Sequence, residues 1–452
     1  MNIDSILPGS KVLFANFPGD GHFNPLTGLA MHLKSLGCDV RWYTSKKYEQ
    51  KINKLGIPFY GLKKALDFAS MPDIDAVFPD RKKYKGQVAK LKHDMINVFI
   101  LRSPEYYEDI LDIYEEFEFE VMVADITFGG IPFVREKMGI PVIGVDIIPL
   151  TETSRDLPPA GLGLTPSTGF FGKRKQDVLR FIADKVLFAK PTRVMTEILG
   201  KYGIDTGGSN LFDILIKKST IVVQSGTPGF EYKRSDLSKH IHFIGPLLPY
   251  HPKKERQSWF DEKLNQYSRV VLVTQGTVET DVEKILVPTL EAFKNTDVLV
   301  VATTGGSQTE KLKISYPEPN IIIEDFIPFE DVMPYADVYI TNGGYGGVLL
   351  SIQNELPLVV AGVHEGKNEI NSRVGYFKLG INLKTENPTA AQLQKAVEEI
   401  FENPVYATNV SQLNKEFNEY EPNSLFADHV ASLLRRSKRQ LQAKQTLEES
   451  IY

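Results

Sequence analysis

The sequence predicts an α/β protein made of two doubly wound halves, and three observations carry that expectation. Short, continuously apolar runs alternate with amphipathic stretches: "KVLFANF", "CDVRWYT", "EVMVADI" and "IPVIGVDII" early, "RVVLVTQG", "DVLVVATTGG", "NIIIEDFI", "DVYITNGG" and "LPLVVAGV" later. Runs that are apolar throughout suit parallel strands covered on both faces by helices. The chain has 452 residues, too many for one ordinary core and enough for two. Between the two series lies "FIGPLLPYHPKKERQSW" (243–259), dense in Pro and charge, which reads as a linker. The expected units are residues 1–248, a linker over 249–260, residues 261–420, and a helical tail over 421–452 that packs back on the first half.

Each element follows from local pattern. After the first strand a helix runs from Pro25 to about Leu36, with Asn24 as its cap, Pro25 at its first position and Gly37 as its stop. "KKYEQKINKLG" and "IPFVREKMG" read as helices, and residues 60–118 are mostly helical. "LTETSRDLPPAGLGLTPSTGFFGK" (150–173) is a loop long enough to be functional. In the second half, helices fall near "EKILVPTLEAFKN" and "GGVLLSIQNE", and the chain is helical from about Ala390 onward. "RRSKRQLQAK" there reads as a solvated helix face.

Composition excludes several classes. Apolar residues make up 42% and charged residues 24%, with a formal net charge of -5, so no basic stripe points to nucleic acid. One cysteine, Cys38, fits a reducing cytosol. "MNIDSILPGSK" lacks the basic and apolar regions of a signal peptide, and no apolar run reaches the roughly 18 residues of a spanning helix. A cytoplasmic protein is expected, monomeric or weakly dimeric, without stable membrane association. No basic–apolar membrane patch stands out in the N-terminal half.

The chemistry begins at "FPGDGHFNP" (17–25). A dinucleotide fingerprint would need glycine where Asn24 stands, and an acidic residue at the end of the next strand, which reads "RWYTSKK". Both are missing. His22 instead stands at the end of the first strand, where the positive end of the following helix favours an uncharged imidazole, as a general base requires. Asp125 ends the strand "VMVAD" and is placed to orient that imidazole and support its positive charge. The other histidines show no metal-ligand spacing, and "DID" (73–75) sits in a polar loop, so no metal is expected.

The C-terminal half offers an anion platform. "TNGGYGG" bares the backbone at Gly343, Gly344, Gly346 and Gly347 just before a helix, a ready site for a diphosphate. It lacks the Gly-Lys-Ser/Thr ending of a P-loop. Thr277 in "TQGT" adds a hydroxyl and an amide, and the Phe326 ring could stack on a base.

Together "GHFNP", "VADITFGGIPF", "DFIP", "TNGGYGG" and "LPLVVAGVHEGKNEINSRV" resemble GT-B glycosyltransferases of the plant secondary-product and macrolide type. The resemblance covers essentially the whole chain, and in detail the sequence is similar to bacterial flavonoid glycosyltransferases, including rhamnosyl-transferring ones. It implies two Rossmann-like domains facing across a cleft and an inverting transfer without metal or cofactor. His22 and Asp125 would be catalytic. Thr274, Gly276, Thr277, Thr303, Phe326, Ile327, Asn342 to Gly347 (with Tyr345), Glu365, Gly366 and Lys367 would hold the nucleotide sugar. Phe23, Phe99, Ile148 and Leu150 would meet the acceptor, together with "MINVFILRSPEYY" (95–107) and the loop 148–172.

Departures from the family pattern refine the donor. The usual base-stacking Trp is Phe326, the following Gln is Phe329, and the phosphate-binding His is Asn342. The ribose-binding Glu falls at Leu350, and the sugar-gripping Asp-Gln pair at Gly366 and Lys367, with Asn368 and Glu369 nearby. A deoxyribose lacks the 2′-hydroxyl that the Glu would grip, so the expected donor is TDP-rhamnose, with UDP-glucose as the alternative. The acceptor is expected to be a small phenolic or flavonoid-like molecule. A sugar-nucleotide epimerase and an inactive nucleotide-sugar binder are the other readings.

Overall fold

The computed structural model describes residues 6–71, 73–250, 258–276, 279–364 and 366–449. Among the described residues, thirteen strands form two parallel sheets. The first holds β1 (Lys11–Ala15), β2 (Asp39–Thr44), β3 (Phe59–Gly61), β4 (Val121–Asp125), β5 (Val142–Asp146), β6 (Ile221–Ser225) and β7 (Ile241–Gly245) in the order β3-β2-β1-β4-β5-β6-β7. The second holds β8 (Val270–Thr274), β9 (Leu299–Thr303), β10 (Ile321–Glu324), β11 (Val338–Thr341), β12 (Leu358–Val360) and β13 (Gly380–Asn382) in the order β10-β9-β8-β11-β12-β13. The α/β expectation holds. Val121–Asp125, Val142–Asp146, Val270–Thr274 and Leu299–Thr303 are buried at every position, because helices cover both faces and leave no place for an alternating polar residue.

The order reverses direction at two places, between β1 and β4 and between β8 and β11. Connections leave a strand pair toward opposite sides there, so a crevice opens beyond the carboxyl ends. The register sets Ala15 beside Ala124 in the first sheet and Thr274 beside Thr341 in the second. Segments that follow β1 and β4, or β8 and β11, are therefore neighbours.

The carboxyl edges of the two sheets meet. Tyr345, in the first turn of the helix after β11, donates its hydroxyl to the Ser225 carbonyl at the end of β6, at 2.8 Å. The C-terminal helix Pro422–Glu449 returns to the first half. Its Phe426, Val430 and Leu434, one turn apart, are buried in the same apolar cluster as Phe14, Leu26, Leu29 and Leu33. Residues 251–257 of the expected linker lie outside the described residues.

Candidate active site

At the first crevice the chain makes a short helix, Asp20–Phe23, before the longer helix Leu26–Ser35. His22 therefore sits within a helical turn rather than in the turn ahead of the helix. Pro25 takes the N-cap position of Leu26–Ser35, and no side chain caps it. The Asn24 carbonyl instead accepts from the Thr27 hydroxyl at 2.6 Å.

His22 and Asp125 touch. His22 Nδ1 lies 3.0 Å from Asp125 Oδ1, with the imidazole about one-fifth exposed and the carboxylate fully buried. Further donors converge on that carboxylate: the Phe17 amide on Oδ2 at 2.6 Å, and on Oδ1 the Thr127 amide at 3.0 Å and the Thr127 hydroxyl. Because an ionised carboxylate only accepts, Nδ1 must carry the proton of that pair. The lone pair is then left on Nε2. Thr127 Oγ1, 3.1 Å from Nδ1, shares the hold on the ring. Gly19 is required beside it, since a Cβ there would lie 2.8 Å from His22 Cδ2.

An aromatic wall adjoins the imidazole. The Phe17 ring meets His22 edge-on at 5.1 Å and stacks on Phe99 at 4.0 Å, within a cluster that includes Phe68 and Val98. Phe99 is thus brought to the site as expected from its segment, whereas Phe17, Phe68 and Thr127 were not singled out. Thr127 carried a signal in sequence, a hydroxyl two residues after a strand-end Asp. Phe23 belongs elsewhere. It is 2% exposed and packs against Trp42 and Tyr48 in the core. Ile148 is half-buried and its carbonyl accepts from Gln224 at 2.9 Å. Leu150 lines a separate cavity of about 260 Å³, bounded by Leu157, Phe181, Phe188 and Phe212 and by Glu369 and Arg373 of the second half.

The second crevice is built from main chain. Gly344 is the N-cap of the helix Tyr345–Gln353, and among the described residues no side chain caps its amides, so its first-turn N–H groups are offered to an anion. Gly343 takes φ +85°, and a Cβ there would overlap Asn371 Oδ1. Gly276 stands against this turn, where a Cβ would lie 3.4 Å from Asn342 Nδ2. The Lys367 stem lies alongside, since a Cβ on Gly362 would lie 3.1 Å from Lys367 Cδ. Gly366, at φ +81°, is the N-cap of the helix Lys367–Tyr376. Phe326 is 69% exposed, which leaves its ring available for stacking instead of packing a core.

Other expected residues do different work. The Asn342 amide donates to the Gln275 carbonyl and so braces the turn between β8 and β11. Thr274 Oγ1 accepts from the Gly276 amide at 3.3 Å, and Thr303 is buried at the end of β9. Ile327 is buried in the second half's core, so only its main chain is left to face a ligand. Tyr345 spans the seam through its hydroxyl, as above. Asn368 and Glu369, placed near the sugar by pattern, are engaged by the 150–173 loop: Asn368 donates to the Gly161 carbonyl at 3.1 Å and Glu369 accepts from the Gly163 amide at 2.7 Å. Thr277 and Glu365 lie outside the described residues. The "DID" carboxylates are structural: Asp73 accepts from the Asp75 amide at 2.8 Å, and Asp75 pairs with Arg81 at 2.7 Å. Among the described residues, no group of three or more His, Cys, Asp or Glu side chains gathers to hold a metal.

A buried ionic network joins the halves behind the crevices. Arg373, 2% exposed, pairs with Glu231 at 2.8 Å and with Glu369 at 3.2 Å. Burial works against the Arg373 charge, but Glu231, Tyr232 and Glu369 outweigh it and hold its proton more firmly. Asp146 lies in the same field, fully buried. Burial pushes its carboxyl well above the ordinary range, and its Oδ2 has no hydrogen-bond partner.

Residues 288–428 match the family described as "Erythromycin biosynthesis protein CIII-like, C-terminal domain". Over 410 residues the chain is 33% identical to 4'-demethylrebeccamycin synthase of Lentzea aerocolonigenes, a match that covers 90% of this chain and 96% of that one. The chain belongs to the GT-B macrolide-type glycosyltransferase family. This glycosyltransferase is also 28% identical to UDP-glycosyltransferase 2 of Phaeomoniella chlamydospora, across 93% of its length and 95% of the relative's. Among solved structures it is similar to the glycotransferase of kitacinnamycin, with a TM-score of 0.73 and 20% identity over 94% of this chain and 99% of that one. The glycosyltransferase transfers a sugar from a nucleotide sugar. Its two sheets are the two Rossmann-like halves of the GT-B fold.

Proposed function

We propose that this glycosyltransferase inverts the anomeric centre as it moves a hexosyl group onto a hydroxyl of a small, planar, apolar acceptor, with His22 as the base. The observation that carries the reading is the His22–Asp125 pair at one switch point, in a chain whose other switch point bears a glycine turn joined to the first half through Tyr345 and Ser225. His22 Nε2 takes the acceptor proton. The oxygen then attacks the anomeric carbon from the face opposite the leaving group, and the glycosidic bond forms as the bond to the diphosphate breaks. Asp125 and Thr127 keep the ring's other nitrogen protonated and steady the charge that arrives on it. The amides of the 343–347 turn and the Lys367 ammonium take up the charge that develops on the departing diphosphate. The stacked Phe17 and Phe99 rings offer an aromatic acceptor a flat wall beside the base.

For the donor we favour TDP-rhamnose. Leu350, the position where a ribose clamp would stand, packs partly buried against the second half's core and has no polar atom to offer a hydroxyl. UDP-glucose is the second reading; the name of the Phaeomoniella relative, UDP-glycosyltransferase 2, speaks for its UDP part. The test is a panel of TDP- and UDP-sugars against phenolic acceptors, read by mass spectrometry, with calorimetry of TDP and UDP alongside. Hexosylated product from TDP-rhamnose and tighter TDP binding are expected. Tighter UDP binding with glucosylated product would replace the first donor by the second. Sugar isomerisation without acceptor would replace transfer by epimerisation.

A further inference from the structure

One surface of the N-terminal half runs against the usual distribution of side chains. The helix Phe170–Ile182 continues through a π-helical turn, Ala183–Leu187, and the two together turn their apolar residues outward. Phe170 is 69% exposed, Phe171 86%, Val178 57%, Phe181 63% and Val186 64%. Phe171, Val178, Ile182 and Val186 recur at intervals of seven, four and four, which places them on one stripe. The inward face carries the polar Gln176, 4% exposed, which accepts from the Ser167 amide at 2.5 Å. A core-packing helix would show the reverse arrangement.

Cations are interleaved with the stripe. Arg174 and Lys175 are exposed one turn after Phe170 and Phe171, and Lys185 adjoins Val186. Of the acids on this segment, Asp177 is held by Arg180 with Arg174 at 3.8 Å, and Asp184 pairs with Lys185 at 2.8 Å, so the cations outnumber them. A basic, apolar face in a chain of formal net charge -5 departs from the rest of the molecule, and the sequence expectation that no such patch lies in the N-terminal half is corrected here.

We infer that this helix is an interfacial anchor that lays its outward face on an anionic lipid bilayer. Phe171, Val178, Phe181 and Val186 would enter the boundary between headgroups and acyl chains, while Arg174 and Lys175 reach up to the phosphates. A second copy is the poorer occupant, since a two-fold contact through this face would set the same cations against one another. Among the described residues no helix is long and apolar enough to cross a membrane, so contact would be superficial. Phe181 also belongs to the rim of the 260 Å³ cavity. The face that would meet the bilayer thus borders that cavity, whose wall is partly apolar and partly charged.

The test is flotation of the full chain with vesicles of phosphatidylcholine alone and of phosphatidylcholine with about one-third phosphatidylglycerol. Binding to the anionic vesicles, weakened by salt, is expected. A cation near such a surface is worth roughly five-fold in partitioning, so Arg174→Gln with Lys175→Gln should lower it by roughly 25-fold. Val178→Ser with Val186→Ser, at two exposed stripe positions outside the acceptor loop, should abolish it while transferase turnover on a water-soluble acceptor is kept. Wild-type protein that stays with the buffer in both series overturns the inference. So does equal binding by the Val178/Val186 variant, or light scattering that shows the stripe consumed in a dimer.

Discussion

At the crevice between β1 and β4 the exposed chemistry belongs to side chains, whereas between β8 and β11 it belongs to the backbone. His22 reaches the first crevice held by a buried carboxylate that gathers donors from Phe17 and Thr127. The second presents uncapped amides behind Gly343 and Gly344, and its polar side chain Asn342 is spent on the Gln275 carbonyl. The same topological feature thus serves two needs. Proton transfer requires a group of defined tautomer, which only a positioned side chain supplies. A diphosphate requires several donors at once in a small arc, which a glycine turn supplies without side-chain entropy to lose.

If this division is right, substitutions at the two crevices should fail in different parameters. Asp125→Asn keeps the shape but allows the wrong imidazole tautomer, so kcat should fall on the order of 10³-fold or more. Nucleoside diphosphate affinity by calorimetry should stay within about two-fold. Gly343→Ala should do the opposite. A non-glycine residue at positive φ costs roughly 1–2 kcal/mol, and the added Cβ overlaps Asn371. Diphosphate affinity should drop by about ten-fold or more, with single-turnover chemistry at saturating donor much less affected. A thermal melt separates this from loss of the fold.

The smallest effect concerns the other buried strand-end aspartate, which sharpens the contrast. Asp146 ends β5, next to β4, and is as buried as Asp125, yet among the described residues its hydrogen-bond partner is the Ile148 amide alone, at 3.4 Å. Burial raises its carboxyl well above the ordinary value. Such a group stabilises the fold while protonated. Its contribution is complete below the unfolded value of about 3.9 and is lost as pH rises through the folded one. Asp146→Asn should therefore lose less Tm than wild type between about pH 4 and about pH 8, with turnover preserved. An identical pH profile for both proteins would show that Asp146 finds a partner.

What was legible in the sequence follows the same line. Strand runs, the glycine turn and the His22 and Asp125 positions were readable because local pattern determines them. The roles of Phe17, Thr127 and Arg373 depend on packing between distant segments, 108 residues apart in the case of the Phe17 amide and Asp125. Phe23 was misplaced because an aromatic residue beside a motif histidine points to core or cleft according to a helical turn that no local signal specifies. Asn368 and Glu369 fell to the seam because the 150–173 loop, which pattern marks only as long, docks on them.

The most direct test of the central claim measures turnover and diphosphate affinity in one variant, His22→Ala. The account predicts a kcat at least 10²-fold lower, with nucleoside diphosphate binding unchanged within about two-fold. Near-normal turnover, or a matching collapse of diphosphate affinity, would contradict it.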